Sequence, residues 1–494
     1  MAPGLALLAA SLLTSLVSAV QYITVDGANF VTNTSDERFS IIGVDYQPGG
    51  SSGFTSTADP LSDSTTCLRD AILMQDLGVN TIRVYNLDAD LDHDECASIF
   101  NAAGIYMILD VNSGLSGTYI DRSDPASTYT LSYLKHIFGI IEAFARYPNT
   151  LGFFAGNEII NEDSVYEAPA YIRAVVRDMK EYIAYNIPRS VGVGYSAADV
   201  EDMLSDTWNY LGCELENSTY SKIDFFGLND YEWCGDSSYT ESGYDELVDL
   251  FEDTAIPVFF SEYGCNDVKP RTFTNVPVLY GSQMTVLSGG LVYEWTQEDN
   301  DYGLVVINST NVVTLTEDFN YLQEEYNKID MSLLTTLNKT ETAKSATSCA
   351  ASLITESAFI DSWDLPDRPS GGDSIVTSGL SNPNKGTQVT VSATTMAATV
   401  YNVSGAQVTG LKLHILDEED DNYPGLAETY TATGYTGLVT LTGSAAGEAT
   451  ASSSSSSGSS SSSSDAGLSL RVPGVGLKTA AVFASTIFVA MLAL

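Results

Sequence analysis

Two glutamates close apolar runs that lie far apart in the chain. Glu158 ends "LGFFAGNE" (151–158) and Glu262 sits in "PVFFSEY" (257–263). One glutamate after an apolar run is ordinarily a loop charge. Two brought together can do more. One carboxylate attacks an electrophilic carbon while the other, held protonated, donates to the leaving oxygen. In the cleavage of sugar acetals, carboxyls about 5–5.5 Å apart go with retained configuration. Repulsion between close acids also favours keeping one of them protonated.

The elements that carry the pair must bring it together. Eight short apolar runs recur roughly every 25 to 45 residues, each followed by a loop and a longer amphipathic segment. They are 39–46, 80–86, 105–112, 151–158, 190–196, 224–231, 257–263 and 289–295. Between them, one segment sets Leu131, Leu134, Ile137, Phe138 and Ile141 on a single helical face and stops before Pro148. Another has Pro169 in its first turn and Pro188 after its end. Strands apolar on both faces suit a parallel sheet covered by helices. Eight such units predict an α/β fold, the (β/α)8 TIM barrel. The alternative is an open doubly wound sheet, but no glycine-rich phosphate fingerprint follows the first strand.

Chemistry in this barrel belongs at the C-terminal ends of strands. Those ends carry Asp45 and Gln47, Arg83 with Tyr85, Asp110 with Asn112, Asn157-Glu158, Asn229 to Tyr231, Glu262, and Tyr293. Strands four and seven are expected on opposite sides, their carboxyls meeting roughly 5 Å apart. Arg83, beneath, would keep one of them ionised. Taken singly, Arg83 and Asn157 read as satisfied core polars and the tyrosines as rim packing. The coincidence at several strand ends carries the inference, and spacing does not say which glutamate has which role.

The net charge of −43 excludes nucleic acid as a partner, since phosphate binding needs clustered Lys and Arg. Three His and six widely spaced Cys predict no metal and no cofactor. In an oxidising compartment the cysteines make three disulfides, with 15 pairings open. Residues 1–19 are apolar and end Val17-Ser18-Ala19, a secretory signal peptide. Residues 446–465 form a Ser-rich stalk with nothing to bury, read as disordered. An apolar tail ends the chain, shorter than the ~20 residues a bilayer span needs. Small residues, spacer and tail together form a glycolipid-anchor signal. Cleavage is expected at Ser464 or Asp465, with 466–494 as the propeptide. Sequons begin at Asn33, Asn217, Asn308, Asn338 and Asn402. The expected organisation is a catalytic domain over 20–350 and a small β-rich or irregular appendage over 351–445. The expected location is the cell surface, on the outer leaflet of the plasma membrane or in the cell wall, as a monomer.

Over roughly residues 21–350 the chain resembles the fungal β-1,3-glucanosyltransferases of glycoside hydrolase family 72. The resemblance rests on "GVDYQPGG" (43–50), "NTIRVYNLD" (80–88), "FFAGNEIIN" (153–161), "GYSAAD" (194–199), "FFGLNDYEWCG" (225–235), "PVFFSEYGCN" (257–266) and "LVYEWTQEDNDYGLV" (291–305). It implies Glu158 as acid/base and Glu262 as nucleophile. It implies glucan contacts by Tyr85, Asp110, Asn157, Asp199, Tyr231 and Tyr293, with Gln47 and Asn112 nearby. It also implies the pairs Cys67–Cys96, Cys234–Cys265 and Cys213–Cys349. Two departures stand out. Leu204 occupies the neighbourhood where relatives carry Arg, and no Cys follows Cys349 to build a cysteine-rich glucan-binding module. The implied activity cuts an internal β-1,3 bond and passes the fragment to the non-reducing end of another glucan. The residues alone would equally serve a β-1,3-glucan hydrolase. A third reading is a catalytically silent glucan-binding surface protein.

Overall fold

The computed structural model describes residues 20–426, apart from 217, 219, 418 and 419. Eight parallel strands close into a barrel. They are β1 Ile41–Asp45, β2 Thr81–Val84, β3 Tyr106–Asp110, β4 Thr150–Asn157, β5 Gly192–Ala198, β6 Phe225–Asp230, β7 Val258–Tyr263 and β8 Leu287–Val292. Their order follows the chain, and β8 returns to β1 by pairing Gly289 to Val292 with Ile41 to Val44. Each run named from the sequence supplies one strand. Strands buried on both faces read as continuous apolar runs for this reason.

The helices between the strands end where their caps dictate. Asp63 accepts from the Thr65 N–H to open the helix Ser64–Leu77, and Gly78, at φ 89°, closes it. Thr130 caps Leu131–Phe144, which buries Leu134, Ile137, Phe138 and Ile141 as its spacing predicts. Ala168–Asn186 carries Pro169 in its first turn, where no N–H is missed. Glu317–Tyr326 completes the wall, with Phe319 against Trp295 and the Tyr326 hydroxyl donating to the Gly43 carbonyl.

The base of the barrel is filled with rings. A hairpin, Ile23–Asp26 with Asn29–Thr32, delivers Phe30 against Phe225 and Phe259. Phe154 packs edge-on to Phe225. Phe225 fits because position 194 is glycine: a Cβ there would stand 2.2 Å from the ring. The Arg83 guanidinium lies over this floor, 4.8 Å from the Phe154 ring centre. Below it the interior is apolar; above it the lining turns polar. The sequence therefore stacks a hydrophobic plug under a charged layer at one end only.

Three disulfides, Cys67–Cys96, Cys213–Cys349 and Cys234–Cys265, tie loops to this frame. The second spans 136 residues, a loop whose closure stabilises by about 5 kcal/mol in the chain-entropy account.

Residues 351–426 build no second core among the described residues. They lie along the barrel as an irregular strap. Trp363 stacks on Tyr210, Arg368 pairs with Asp178 at 2.7 Å, and the Val389 N–H donates to Ser98 Oγ. Two of its short strands, Thr399–Tyr401 and Gln407–Val408, join Val305–Ile307 and Val312–Leu315 in a four-stranded sheet. Asn422 then donates to the carbonyls of Gln75 and Val79 at 3.0 and 2.8 Å, each bond worth about 1 kcal/mol net. Both carbonyls lie near the N-terminal ends of the strands, so the described chain ends at the base of the barrel. Residues 1–19, Asn217, the stalk, the anchor site at Ser464 or Asp465, and 466–494 fall outside the described residues. Asn33, Asn308 and Asn338 are exposed, and Asn402 is half-buried. Among the described residues no helix is long and apolar enough to cross a membrane.

Candidate active site

Glu158 and Glu262 open onto the same end of the barrel. Their strands, β4 and β7, are separated by β5 and β6. They therefore stand three strands apart and not on diametrically opposite sides, as the sequence reading had placed them. The shorter arc lets intervening side chains bridge them. Asn229, on β6, donates from Nδ2 to Glu158 Oε1 at 2.7 Å. Its Oδ1 accepts from Arg83 Nη1 at 3.4 Å, and the same Arg83 nitrogen reaches Glu262 Oε1 at 3.2 Å.

Both glutamates follow a break in strand register. In β4 the pairing shifts between Phe154 and Asn157, and in β7 between Phe260 and Glu262. Such bulges re-aim side chains at barrel rims. Glu158 takes the turn furthest, at φ 49°, a left-handed conformation strained for a non-glycine residue. Its N–H is fixed to the Ser196 carbonyl at 2.9 Å.

The two carboxyls have different surroundings. Glu262 is 1% exposed and collects donors. Tyr85 gives its hydroxyl to Oε1 at 2.9 Å, Tyr231 its hydroxyl to Oε2 at 2.7 Å, and Arg83 its guanidinium. Three donors from β2 and from the loops after β2 and β6 thus converge on its two oxygens. Glu158 is half-buried and has one amide donor. Its carboxyl is pushed up to about 7, by burial first and by the Glu262 charge second, against Asn229 and Arg83. Repulsion contributes, as expected of two close acids, but desolvation leads. The arrangement gathers donors on Glu262 and keeps the Glu158 carboxyl able to give a proton near neutral pH, the division of labour that acetal cleavage needs.

Arg83 organises the layer. Its Nε reaches Asp110 at 3.1 Å and its Nη2 reaches Asn157 Oδ1 at 2.9 Å. Asp110 is pushed up to about 6 by burial, with Arg83 opposing. Asn157 Oδ1 also accepts from Ser196 Oγ and from Asn229 Nδ2. Tyr293 stands edge-on to Tyr85 and Tyr231, with ring centres 6.5 and 6.4 Å apart. Tyr85 and Tyr231 meet Glu262 through their hydroxyls, and the Arg83 guanidinium lies over one face of Tyr85, 4.4 Å from its ring centre.

The remaining candidates stand further out. Gln47 accepts from Asn86 Nδ2. Asn112 is held by the scaffold, donating to the Ala155 carbonyl and accepting from the Tyr133 hydroxyl. Asp199 makes no hydrogen bond to either glutamate; burial, with Glu232 and Glu201, pushes it up to about 6. Asn229, Ser196 and Ser261 were not singled out as a bridge. They sit at strand ends, but only the fold shows their hydroxyls and amide meeting in one network. Tyr302, 5.2 Å from Tyr293 between ring centres, comes from a loop with no periodicity to flag it.

A barrel with this acid pair at its open end has the architecture of the two-carboxylate glycosidases. A family model described as glucanosyltransferase, glycoside hydrolase family 72, matches residues 12–330. The chain is 58% identical over 414 residues to the 1,3-beta-glucanosyltransferase gel2 of Aspergillus fumigatus, covering 84% of this chain and 87% of that protein. It is 46% identical to the probable 1,3-beta-glucanosyltransferase GAS3 of Saccharomyces cerevisiae, covering 78% of each. The solved structure of Saccharomyces cerevisiae Gas2p with laminaripentaose superposes with a TM-score of 0.65 at 36% identity, over 72% of this chain and 78% of that one. The chain belongs to glycoside hydrolase family 72.

Proposed function

We propose that this enzyme is a retaining β-1,3-glucanosyltransferase that elongates cell-wall glucan. Glu262 attacks the anomeric carbon of an internal β-1,3 linkage, and Glu158 gives its proton to the departing oxygen. The new reducing end leaves. A glycosyl ester on Glu262 remains. Glu158, now ionised, takes the proton from the hydroxyl at the non-reducing end of a second glucan. That oxygen displaces Glu262 and restores the β linkage. The observation that carries this reading is the asymmetry of the pair: a donor-rich, buried Glu262 facing a Glu158 whose carboxyl is pushed up to about 7.

Tyr85, Tyr231 and Tyr293 would pack against sugar faces, with Gln47, Asp110, Asn112, Asn157 and Asp199 taking hydroxyls. The tyrosine wall favours a sugar acceptor over water by excluding bulk solvent. Incubation of the protein lacking its stalk with a reduced laminari-oligosaccharide tests the transfer. Products longer than the substrate support it; shorter products alone make the enzyme a hydrolase. The two ends of the chain support secretion and a glycolipid anchor at Ser464 or Asp465 on the outer leaflet, with sugars on the exposed sequons.

The acid step fixes a pH dependence. Glu158 must be protonated to cleave, so kcat/KM falls as pH rises through about 7. A pH–rate profile on laminari-oligosaccharides should show that alkaline limb. An undiminished rate at pH 9 would contradict the role given to Glu158.

A further inference from the structure

Tyr302 is half-buried and stands 5.2 Å from Tyr293 and 5.8 Å from Tyr231 between ring centres. It comes from the loop after β8, which forms no helix. Behind it lies Arg271, on the loop after β7 and 2% exposed. Arg271 Nη1 donates to the Tyr293 carbonyl at 2.6 Å and to the Gly264 carbonyl at 3.1 Å, and Nη2 donates to the Tyr302 carbonyl. Gly264 has φ 115°, and a Cβ there would stand 3.1 Å from Nη1. The Arg271 Nε and backbone N–H both go to Asp318, at 2.6 and 3.1 Å. Asp318 lies in the first turn of Glu317–Tyr326, the helix fixed to the barrel through Phe319 and Tyr326. One guanidinium thus ties the segment after Glu262, the end of β8 and the Tyr302 loop to the outer wall.

Other ties across these loops are weaker. Asn266 Nδ2 donates to the Asn300 carbonyl at 2.9 Å, a bond between neutral groups. Lys269 and Asp301 pair at 2.9 Å, but both side chains are exposed, and such pairs contribute little. The Arg271 bonds are charge-assisted and buried, and three carbonyls at fixed angles suit a planar fork that an ammonium cannot copy. We propose that Arg271 is a positioning residue: by holding the backbone of Tyr293 and Tyr302 it sets how the glycosyl ester on Glu262 divides between a sugar acceptor and water. The inference rests on the transferase reading above. Buried as it is, Arg271 acts through the tyrosines and not on the glucan. When they loosen, water reaches the ester. Its oxygen bonds to the anomeric carbon, Glu158 takes its proton, and Glu262 leaves as the carboxylate.

The test compares wild type, R271K, Y302A and the double variant on a reduced laminari-oligosaccharide, assayed well below their melting temperatures. Longer products count transfer, and shorter products without a longer partner count hydrolysis. Lysine keeps the charge and the reach to Asp318 but loses the fork. R271K should raise the ratio of hydrolysis to transfer about tenfold, while total cleavage falls by no more than about threefold. Y302A should move the ratio the same way. The double variant should move it by less than the product of the two single effects, because both act on one wall. An unchanged ratio in R271K, even with slower cleavage, overturns the proposal, and so does a full product in the double variant. Should R271K fail to fold, D318N loosens the anchor and should shift the ratio about threefold; an unchanged ratio there overturns the proposal equally. A wild type that gives shorter products alone would instead remove the transferase reading beneath it.

Discussion

Replacing Glu262 by glutamine should lower turnover on laminari-oligosaccharides by about 10⁴-fold or more, with glucan affinity largely kept. The substitution keeps the shape of the side chain and removes the charge that attacks. Tyr85, Tyr231 and Arg83 are three donors arranged for a carboxylate. An amide presents one acceptor oxygen and an N–H₂, so one of those contacts turns unfavourable. The loss should therefore appear in kcat, and thermal melting should change little. Binding of laminarin measured by calorimetry separates the two effects. An E262Q enzyme that still makes longer glucans would end the nucleophile assignment. A wild type without turnover, indistinguishable from E262Q, would point to the silent binding protein.

The second large effect comes from Glu158→Gln, and it depends on the leaving group. On a natural glucan the departing oxygen needs a proton, and losing the acid costs about 10²–10⁴-fold. On laminaribiosyl fluoride the first step needs little help, so the glycosyl ester on Glu262 should form and accumulate. Transfer then stalls, because no base takes the acceptor proton. Azide needs no base. Adding it should restore turnover and yield the β-glycosyl azide, the N–C bond forming as the Glu262 carboxylate leaves. Equal loss on both donors, or no azide product, would place the acid elsewhere.

Much of this was legible before the fold. Each strand is a buried apolar run, and burial on both faces leaves a signal that survives without its neighbours. The strand ends pointed to Glu158, Glu262, Arg83 and the tyrosines because barrels place polar groups there. The approach of the pair was harder. It depends on register shifts before Asn157 and Glu262, and one displaced residue in a strand leaves no trace in a hydrophobic pattern. Asn229 was visible as a residue and invisible as a bridge, since its amide joins Glu158 to Arg83 only once β6 lies between β4 and β7. The strap was least legible. Its contacts are scattered and of mixed kinds, such as Trp363 on Tyr210, Arg368 on Asp178 and Asn422 on the carbonyls of Gln75 and Val79, which follow no period.

The roles of the two acids can be read directly from a covalent intermediate. A 2-deoxy-2-fluoro-laminaribiosyl fluoride should load the enzyme and stop there, because the fluorine slows release more than attack. Digestion and mass spectrometry of the labelled protein should find the disaccharide on the peptide that carries Glu262. A label on the Glu158 peptide, or an unlabelled enzyme that nonetheless turns over glucan, would contradict the account.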